Sequence, residues 1–333
     1  MTVRMALLGA GRIGKVHAQA ISGNHDAELV SVTDALPEAA SAITAQHGGE
    51  VRTLDEVAAA DDVDAVITCT PTNTHADLIE KFTRLGKAVF CEKPIDLNIE
   101  RVRDCLKVVK DHNGRLMLGF NRRFDPHFSA VQREISNGRI GAVEQVTITS
   151  RDPGLPPADY IAVSGGMFRD MTIHDFDMAR FLLGEEITTV QATASVLVDP
   201  EVEKLGDFDT ATTILVTASG KQCTILNSRR ATYGYDQRIE VHGAKGMLSA
   251  ENHRPVSIEV ADQNGFSKPP LHDFFMTRYT AAYEAEIAAF VATVRDGIAP
   301  SPSAEDGLMA LALAEAALKS VAEQRVVQVS EVL

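Results

Sequence analysis

Residues 5–14 read MALLGAGRIG. The apolar residues at the start predict a short strand, and the segment Gly9-Ala10-Gly11-Arg12-Ile13-Gly14 leads from it into a predicted helix. This is the order G-x-G-x-x-G, in which the first glycine allows a tight turn, the second lets the backbone approach a pyrophosphate, and the third lets the helix pack closely on the strand. The phosphates would lie at the helix N-terminus, which favours negative charge. Taken alone, the motif also fits a strand–helix turn that binds nothing.

An acidic residue at the end of the second predicted strand adds to this pattern. The strand covers residues 29–33, LVSVT, and Asp34 follows it, 20 residues after Gly14. A carboxylate at that place accepts hydrogen bonds from the ribose hydroxyls of NAD and repels the 2′-phosphate of NADP. The next residues, Ala-Leu-Pro-Glu, contain no basic partner for such a phosphate. The sequence therefore predicts an NAD site rather than an NADP site.

Strands and helices alternate through the first part of the chain. The predicted strands are 3–8, 29–33, 64–69, 87–91 and 115–120, and the predicted helices between them are 12–22, 37–47, 74–85 and 98–112. This alternation is typical of a parallel sheet with helices on both faces. We therefore expect an α/β fold with an N-terminal Rossmann domain, a doubly wound parallel sheet, over residues 1–120.

Two loops at the carboxyl ends of strands carry further candidates for cofactor binding. Ligands of doubly wound sheets bind at this edge. The loop after the third long strand contains Thr70, Pro71, Asn73 and His75, and the loop after the fourth contains Glu92, Lys93 and Pro94. A lysine in a loop is by default a solvated surface charge. Lys93 is a candidate catalytic residue because it lies at the edge of the sheet where the cofactor is predicted to bind.

The pattern changes after residue 120. A helix is predicted over 125–137 and a strand over 143–150, and the next helix starts near Asp170. Strands follow near 188–198, 210–217, 221–228, 236–241, 247–250 and 255–260, and helices near 273–297 and 304–323. Such a run of strands predicts a C-terminal α+β domain, residues 121–333, with a large open, mostly antiparallel sheet. One face of that sheet can carry helices and the other a subunit interface, so we expect a homo-oligomer. The C-terminal helices can return to pack on the first domain.

Composition narrows the possible partners and compartments. The chain has 333 residues, a net charge of −14 and 45% hydrophobic residues, which fits a globular protein and argues against nucleic acid as a partner. The longest apolar run, residues 308–318, is too short to span a membrane. The four cysteines, Cys69, Cys91, Cys105 and Cys223, show no paired spacing. Because the first strand begins almost at Met1, with no secretion signal before it, we expect a cytoplasmic location.

The segment Asp170–Arg180 carries a second cluster of polar residues. If it forms one helix, Asp170, His174 and Asp177 at positions i, i+4 and i+7 share a face. A carboxylate one turn from an imidazole fixes its tautomer and stabilises its charged form, which suits a general base. An acid in the first turn of a helix is also favoured by the dipole without any catalytic role. A metal site is not predicted, because the helix lacks the H-E-x-x-H pattern and no cysteine cluster supplies ligands.

The sequence resembles the glucose–fructose oxidoreductase/inositol dehydrogenase (Gfo/Idh/MocA) family. Three ordered segments carry this resemblance: residues 9–14, Glu92-Lys93-Pro94, and residues 165–175, GGMFRDMTIHD. Within the family, the chain is most similar to the bacterial inositol 2-dehydrogenases. Four stretches support that similarity: residues 119–125 (GFNRRFD), Tyr160-Ile161 before Ser164-Gly165-Gly166, residues 173–184 (IHDFDMARFLLG) and residues 233–238 (YGYDQR).

The resemblance implies NAD-dependent oxidation of a ring alcohol, here myo-inositol to scyllo-inosose, by a cytoplasmic homotetramer. It also implies that Lys93, Asp170 and His174 act together, with His174 as the base, Asp170 orienting it and Lys93 binding the reacting oxygen. Because the nicotinamide takes the hydride, no metal is required. Arg123 and Tyr235 match substrate-binding positions of the family; on their own they could be an ion-pair partner and a packing residue.

Other functions remain open at this point. One is a dehydrogenase for another polyol, such as scyllo-inositol, D-chiro-inositol or a glucose-like pyranose. Another is a non-catalytic NAD-sensing regulator, which could lose its catalytic groups and keep its fold. The presence of Lys93, Asp170 and His174 favours an enzyme.

Overall fold

The computed structural model describes residues 2–333. The chain divides into two compact units. The first runs to Asp125 and includes Thr280–Leu311, and the second comprises Pro126–Tyr279 and Ala312–Leu333. The predicted domain boundary at residue 120 lies close to the first boundary between the units, which follows Asp125. The segment Thr280–Leu311 comes from the C-terminal part of the chain and belongs to the first unit.

The first unit is built on a six-stranded parallel sheet. Its elements are β1 (Val3–Leu8), α1 (Arg12–Ser22), β2 (Ala27–Thr33), α2 (Pro37–His47), β3 (Glu50–Val51), α3 (Leu54–Ala59), β4 (Ala65–Thr68), α4 (His75–Arg84), β5 (Ala88–Glu92), α5 (Ile99–Asp111) and β6 (Leu116–Gly119). The strand order is β3-β2-β1-β4-β5-β6, so the order reverses between β1 and β4. The central strands are mostly apolar because both of their faces are covered.

The second unit is built on a seven-stranded mixed sheet. Its elements begin with α6 (Pro126–Ser136), β7 (Val143–Arg151), α7 (Ala158–Ser164), α8 (Gly166–Asp170), α9 (Ile173–Leu183), β8 (Ile187–Ser195) and α10 (Glu201–Lys204). They continue with β9 (Thr210–Thr217), β10 (Gln222–Ser228), β11 (Asp236–Gly243), β12 (Gly246–Ala250), β13 (Val260–Asp262), β14 (Gly265–Ser267) and α11 (Phe275–Arg278). The helix α12 (Thr280–Asp296) belongs to the first unit, and α13 (Ala304–Glu323), which belongs to the second unit from Ala312 onward, precedes β15 (Val327–Gln328). The sheet order is β12-β11-β7-β10-β9-β8-β15, and β7 and β10 form its parallel pair.

One face of this second sheet is covered and the other is more open. The helix α9 packs on β7 and β10 and buries Ile148, Ile225 and Phe176. On the opposite face, cross-strand partners form a row: Gln191, Ile214, Thr224, Thr147, Glu240 and Ser249. The row is half-buried to exposed, and Ile214 is 40% exposed. The predicted fold class, a Rossmann domain followed by an α+β domain with a mostly antiparallel sheet, is confirmed.

Several predicted elements are wrong in detail. The helix predicted from Asp170 onward is two helices, because the backbone turns at Met171 and Thr172. The N–H groups of both residues donate to the carbonyl of Met167, so the regular i→i−4 ladder stops there. Consequently Asp170 ends α8 and His174 lies in the first turn of α9, and Asp170, His174 and Asp177 do not share the face of a single helix.

Two further elements differ in the last third of the chain. The strand predicted at 255–260 is wrong, since only the short hairpin β13–β14 forms, across residues 260–267. This segment is exposed and begins with Pro255, which has no N–H to donate to a ladder. The helix predicted at 273–297 is divided at Tyr279, whose ring is buried against Tyr235 and lies beside the Arg278 guanidinium. Sequence periodicity also missed the short elements β3 and α3.

Candidate active site

The glycine-rich turn has the geometry that its sequence predicts. Gly9 has φ +101°, and a Cβ there would lie 2.5 Å from the carbonyl oxygen of Cys69. A Cβ on Gly14 would lie 2.0 Å from the carbonyl oxygen of Gly9, so α1 packs too closely for a side chain at that position. A Cβ on Gly11 would meet no atom within 4 Å. The fold therefore requires glycine at positions 9 and 14, whereas at position 11 it leaves room for a side chain.

The space beside Gly11 fits a dinucleotide pyrophosphate. Gly11 is the N-cap of α1, and among the described residues no side chain caps the first N–H groups of this helix. The first turn contains no acidic residue, so nothing in it opposes an anion. Free N–H groups at a helix N-terminus and an open approach over a glycine are the features that bind phosphate. The residues 9–14 thus fit the cofactor that the sequence predicts.

Asp34 lies directly beside this turn, at the end of β2. One carboxylate oxygen accepts a hydrogen bond from the Ala10 N–H at 2.6 Å, and the other accepts from the Leu36 N–H at 2.8 Å. The two bonds hold the carboxylate at the edge of the glycine-rich turn. Arg12 and Ile13, the other residues of the turn, begin α1; the Arg12 side chain is exposed.

The loops after β4 and β5 are joined by a buried histidine. His75 is 2% exposed, and its Nδ1 and Nε2 atoms each lie 2.8 Å from a carbonyl oxygen, of Pro94 and Thr70 respectively. Burial lowers the pKa of His75, and the two backbone contacts raise it in part. The hydroxyls of Thr70 and Thr74 are 2.6 Å apart and fold the same loop on itself. Pro71 and Asn73 lie exposed in this loop, with Asn73 in a 3₁₀ turn.

Glu92 and Lys93 stand at the end of β5. Glu92 is buried, and its Oε1 lies 2.6 Å from Nε2 of His17, which is fully buried on α1. The rings of Phe90 and Tyr283 enclose the imidazole of His17 edge to face. This pair anchors the backbone immediately before Lys93, whose side chain is half-buried and whose peptide bond to Pro94 is cis.

Arg123 lies in a 3₁₀ turn after β6 and is paired with Asp306 at the start of α13. The distance from Nη2 of Arg123 to Oδ1 of Asp306 is 3.0 Å, and the arginine side chain is 9% exposed. Asp306 also accepts hydrogen bonds from the N–H and hydroxyl of Ser303. The ion pair fixes the direction of the guanidinium, and the predicted substrate contact of Arg123 stays a prediction.

In the second unit, Asp170 and His174 lie on either side of the turn between α8 and α9. Oδ1 of Asp170 accepts a hydrogen bond of 2.8 Å from the hydroxyl of Tyr160, and Oδ2 lies 3.7 Å from Nη2 of Arg229. His174 is half-buried in the first turn of α9. The carboxylate of Asp170, four residues before His174, therefore has two different neighbours: the Tyr160 hydroxyl and the Arg229 guanidinium.

A buried asparagine holds both sides of His174. Asn227 on β10 accepts a hydrogen bond from the Thr172 hydroxyl at 2.9 Å and donates from Nδ2 to Asp175 at 2.8 Å. Thr172 and Asp175 are completely buried, and Asn227 is nearly so. Since these two residues flank His174 in sequence, Asn227 ties the first turn of α9 to the sheet.

Tyr235 is buried just before β11. Its N–H donates to the carbonyl oxygen of His272, and its ring packs edge to face against Phe274 and Tyr279. Tyr235 therefore has the packing role that the sequence left open as an alternative. Its predicted contact with substrate stays a prediction.

Sequence reasoning missed three residues that support these groups: His17, Asn227 and Arg229. His17 could have been found, because it lies on the buried face of α1 with Gly14, Ala18 and Ile21 at helical spacing. A polar residue on such a face needs a partner. Asn227 could be read as an inward-facing residue of an alternating strand, but its partners lie more than fifty positions away. Nothing local marks Arg229.

Comparison with known proteins decides the family. Residues 3–120 match the oxidoreductase family with an NAD-binding Rossmann fold, and residues 132–329 match the C-terminal α/β domain of the same oxidoreductase family. The chain belongs to the Gfo/Idh/MocA oxidoreductase family. The predicted family and the predicted cofactor, NAD, are confirmed.

Among its relatives, the inositol 2-dehydrogenase of Rhizobium meliloti is 66% identical over 330 residues, covering 99% of this chain and all of the relative. The solved structure of a myo-inositol dehydrogenase from Corynebacterium glutamicum superposes with a TM-score of 0.95 at 46% identity, covering 98% of this chain and 99% of that one. The scyllo-inositol dehydrogenase of Lactobacillus casei, solved with NAD(H) and scyllo-inositol bound, gives 0.92 at 30% identity, covering 99% of this chain and 100% of that one.

Two further observations concern membranes and metals. Among the helices of residues 2–333, none is both long and apolar enough to cross a membrane. Within the same residues, no group of three or more His, Cys, Asp or Glu side chains is arranged to hold a metal ion.

Proposed function

We propose that this protein oxidises the 2-hydroxyl of myo-inositol to a ketone, giving scyllo-inosose, with NAD as the oxidant. The observation that carries the proposal is the full-length identity of 66% to an inositol 2-dehydrogenase. Lys93, Asp170 and His174 are all present in the segments that resemble the catalytic motifs of the family.

Three side chains perform the chemistry in this proposal. His174 accepts the proton of the reacting hydroxyl, and Asp170 orients the imidazole and stabilises the positive charge that it gains. Lys93 donates a hydrogen bond to the same oxygen and stabilises the negative charge that develops there. When bound, NAD supplies the oxidising group, a nicotinamide ring that takes the carbinol hydrogen with its electron pair.

The remaining candidates bind and position. Residues 9–14 hold the pyrophosphate and Asp34 the adenosine ribose. The loop residues Thr70, Pro71, Asn73, His75 and Glu92 shape the cofactor edge. His75 acts through the two loops that it joins, and Glu92 acts through its contact with His17 on α1. Arg123 and Tyr235 contact substrate hydroxyls, since a neutral polyol is selected by polar groups that a wrong epimer would leave unpaired.

The two parts of the chain divide the work. The N-terminal domain, residues 1–120, binds NAD, and residues 121–333 bind substrate and form the subunit interface. The proposed assembly is a cytoplasmic homotetramer in which the open face of the second sheet meets another copy, because that face presents threonines and Ile214 rather than a dense layer of charges.

Turnover on a substrate panel tests the proposed reaction. Purified protein is given NAD or NADP with myo-, scyllo- and D-chiro-inositol and with aldohexoses, and NADH formation is followed. We expect the highest kcat/KM with myo-inositol and NAD. A preference for scyllo-inositol, the ligand of the Lactobacillus casei relative, would change the assigned substrate but not the assigned class of reaction. Binding of NAD without turnover on any polyol would favour a regulator.

Substitution of the catalytic candidates tests their roles. Lys93→Met and His174→Asn are expected to lower kcat about 10²- to 10⁴-fold, the range of positioned acid–base and electrostatic groups. Lys110→Met, at the exposed end of α5, is the matched control and should leave kcat unchanged. Near-normal turnover of either catalytic variant would show that the assignment is wrong.

A separate substitution tests Asp34. Asp34→Asn keeps an acceptor for the Ala10 or Leu36 N–H and removes the charge. The kcat/KM ratio of NAD to NADP should fall about tenfold or more, since charge repulsion of the 2′-phosphate is lost. An unchanged ratio would exclude the ribose assignment.

A further inference from the structure

Arg229 is one of the largest fully buried side chains of the protein, and the reaction proposed above does not use it. It follows the last residue of β10, and its N–H donates to the carbonyl oxygen of Asp209 at 2.8 Å. The guanidinium is 2% exposed. A buried cation is costly unless carboxylates lie close to it, so its neighbours explain why it is there.

Two carboxylates lie at the same nitrogen of Arg229. Nη2 is 3.7 Å from Oδ2 of Asp170 and 3.7 Å from Oδ2 of Asp207. Both distances exceed a hydrogen bond, and within residues 2–333 this Nη2 has no hydrogen-bond partner. The guanidinium therefore acts on both carboxylates through its charge. One cation stands between two anions, of which one is the proposed partner of His174.

Asp207 connects this pair to the start of α8. Its Oδ1 accepts a hydrogen bond from the Met167 N–H at 2.8 Å, and a Cβ on Gly166 would lie 2.6 Å from the same oxygen. Gly166 has φ +80°, which an L side chain rarely adopts. Gly166 of the family motif thus makes room for Asp207 at the start of α8.

The helix α8 has five residues and cannot hold itself in place. Asp207 fixes its first turn, and Arg229 and the Tyr160 hydroxyl contact Asp170 at its end. Arg169, within the helix, is paired with Glu315 on α13. The charged and titratable groups near Asp170 and His174 in this unit include Tyr160, Arg169, Asp175, Asp177, Asp207, Arg229 and Glu315.

We propose that Arg229 is a positioning residue for the reaction. Its positive charge keeps Asp170 ionised and oriented toward His174. Asp207 partly offsets that charge and so limits the strength of the effect. The inference rests on the proposed function, in which Asp170 orients the base. Arg229 acts through Asp170 and does not itself reach substrate in this account.

The direction in which the pH profile shifts distinguishes an electrostatic role of Arg229 from a packing role. Removing a buried positive charge raises the proton affinity of every nearby acid, and removing a negative charge lowers it. Arg229→Gln should therefore move the acid limb of the kcat/KM pH profile to higher pH, by about one to three units for a charge at this distance. Asp207→Asn should move it to lower pH, while its amide oxygen keeps the bond to the Met167 N–H. Arg229→Lys keeps the charge and should leave the limb near its original pH.

The pH profiles of these variants with myo-inositol and NAD are the first test. The matched control is Arg230→Gln, since Arg230 is exposed and contacts only main-chain oxygens of Leu197 and Val198 through its guanidinium. Opposite shifts for Arg229→Gln and Asp207→Asn, with none for the control, support the proposal. Shifts of the same sign, or lower kcat with no shift in a variant that keeps the original melting temperature, would overturn it.

A second readout needs no turnover. Ring spectra of ¹³C-labelled histidine follow the titration of His174, whose signal is assigned by its loss in His174→Asn. The titration should move up in Arg229→Gln and down in Asp207→Asn. If the original protein oxidises no polyol, the proposed function fails, and this titration still decides whether Arg229 controls the charge at Asp170 and His174. Should Arg229→Gln fail to fold, the shift in Asp207→Asn and its absence in Arg229→Lys decide the same question.

Discussion

At the scale of single residues, we predict that Gly11 is required by the cofactor rather than by the fold. Gly11→Ala adds a methyl group that meets no protein atom, so the melting temperature should stay the same. The methyl group lies where the pyrophosphate would approach, so we expect the Kd for NAD to rise about tenfold or more. Isothermal titration with NAD and a thermal melt measure the two effects.

Gly14→Ala is the matched contrast in the same turn. Its methyl group would lie 2.0 Å from the carbonyl oxygen of Gly9, so this variant should lose stability outright, by about 2 kcal/mol or more. If Gly11→Ala binds NAD normally, or if both variants destabilise the fold equally, the separate roles given to the two glycines are wrong.

Among the helices and strands, the first turn of α9 depends on one asparagine. Asn227→Leu removes the donor to Oδ2 of Asp175 and the acceptor of the Thr172 hydroxyl, all of them buried. Loss of a hydrogen bond to a buried charged group costs about 3 kcal/mol or more. Chemical denaturation should show this loss. Asn227→Asp, which places a second carboxylate beside Asp175, should be no better, and a stable Asn227→Leu variant would contradict the account.

The elements that sequence predicted well have strong local signals. The alternation through β6 was predicted because the central strands are mostly apolar and the long helices have capping or periodic residues. The break between α8 and α9 was missed because a contact of the Thr172 hydroxyl at this break is with Asn227, fifty-five positions away in the sequence. The short β3 and α3 were missed because two and six residues carry too little periodicity.

The residues of the candidate site likewise fall into those that sequence could place and those that it could not. The glycine turn and Asp34 could be placed from spacing alone, since their geometry is local to one strand–turn–helix unit and the next strand. The environments of Asp170 and Lys93 could not, because Arg229 reaches Asp170, and His17 reaches Glu92 next to Lys93, from distant parts of the chain.

At the scale of the whole molecule, Asp236 links stability to pH. It is fully buried and accepts hydrogen bonds from Arg238, Tyr233 and Asn252. Burial alone would raise its pKa, and these three donors together hold the pKa of Asp236 below its ordinary value of 3.8. A lowered pKa contributes stability that is fully present above the unfolded value and is lost as the pH falls through the folded value.

Asp236→Asn should therefore cost about 1 to 3 kcal/mol at neutral pH, because the buried side chain loses its charge-assisted hydrogen bonds from Arg238. Its free energy of unfolding should change less than that of the original protein as the pH falls below about 4. Urea denaturation across this range measures both. Parallel curves for the two proteins would show that Asp236 does not carry the pH dependence.

The open face of the second sheet governs the predicted assembly. Ile214→Asp places a charge within the exposed row, where a second copy would bury it, and sedimentation should show smaller species. Leu85→Asp, at a similarly exposed apolar residue after α4, is the control and should not change the mass. An unchanged oligomer in Ile214→Asp would place the interface elsewhere.

The most direct measurement of the central claim uses myo-inositol deuterated at the 2-position. With purified protein and NAD, we predict that the deuterium appears in the reduced nicotinamide and that the other product is scyllo-inosose, both detected by mass spectrometry. Reduced cofactor without deuterium would show that a different carbon is oxidised. No reduced cofactor, in protein that still binds NAD, would contradict the account.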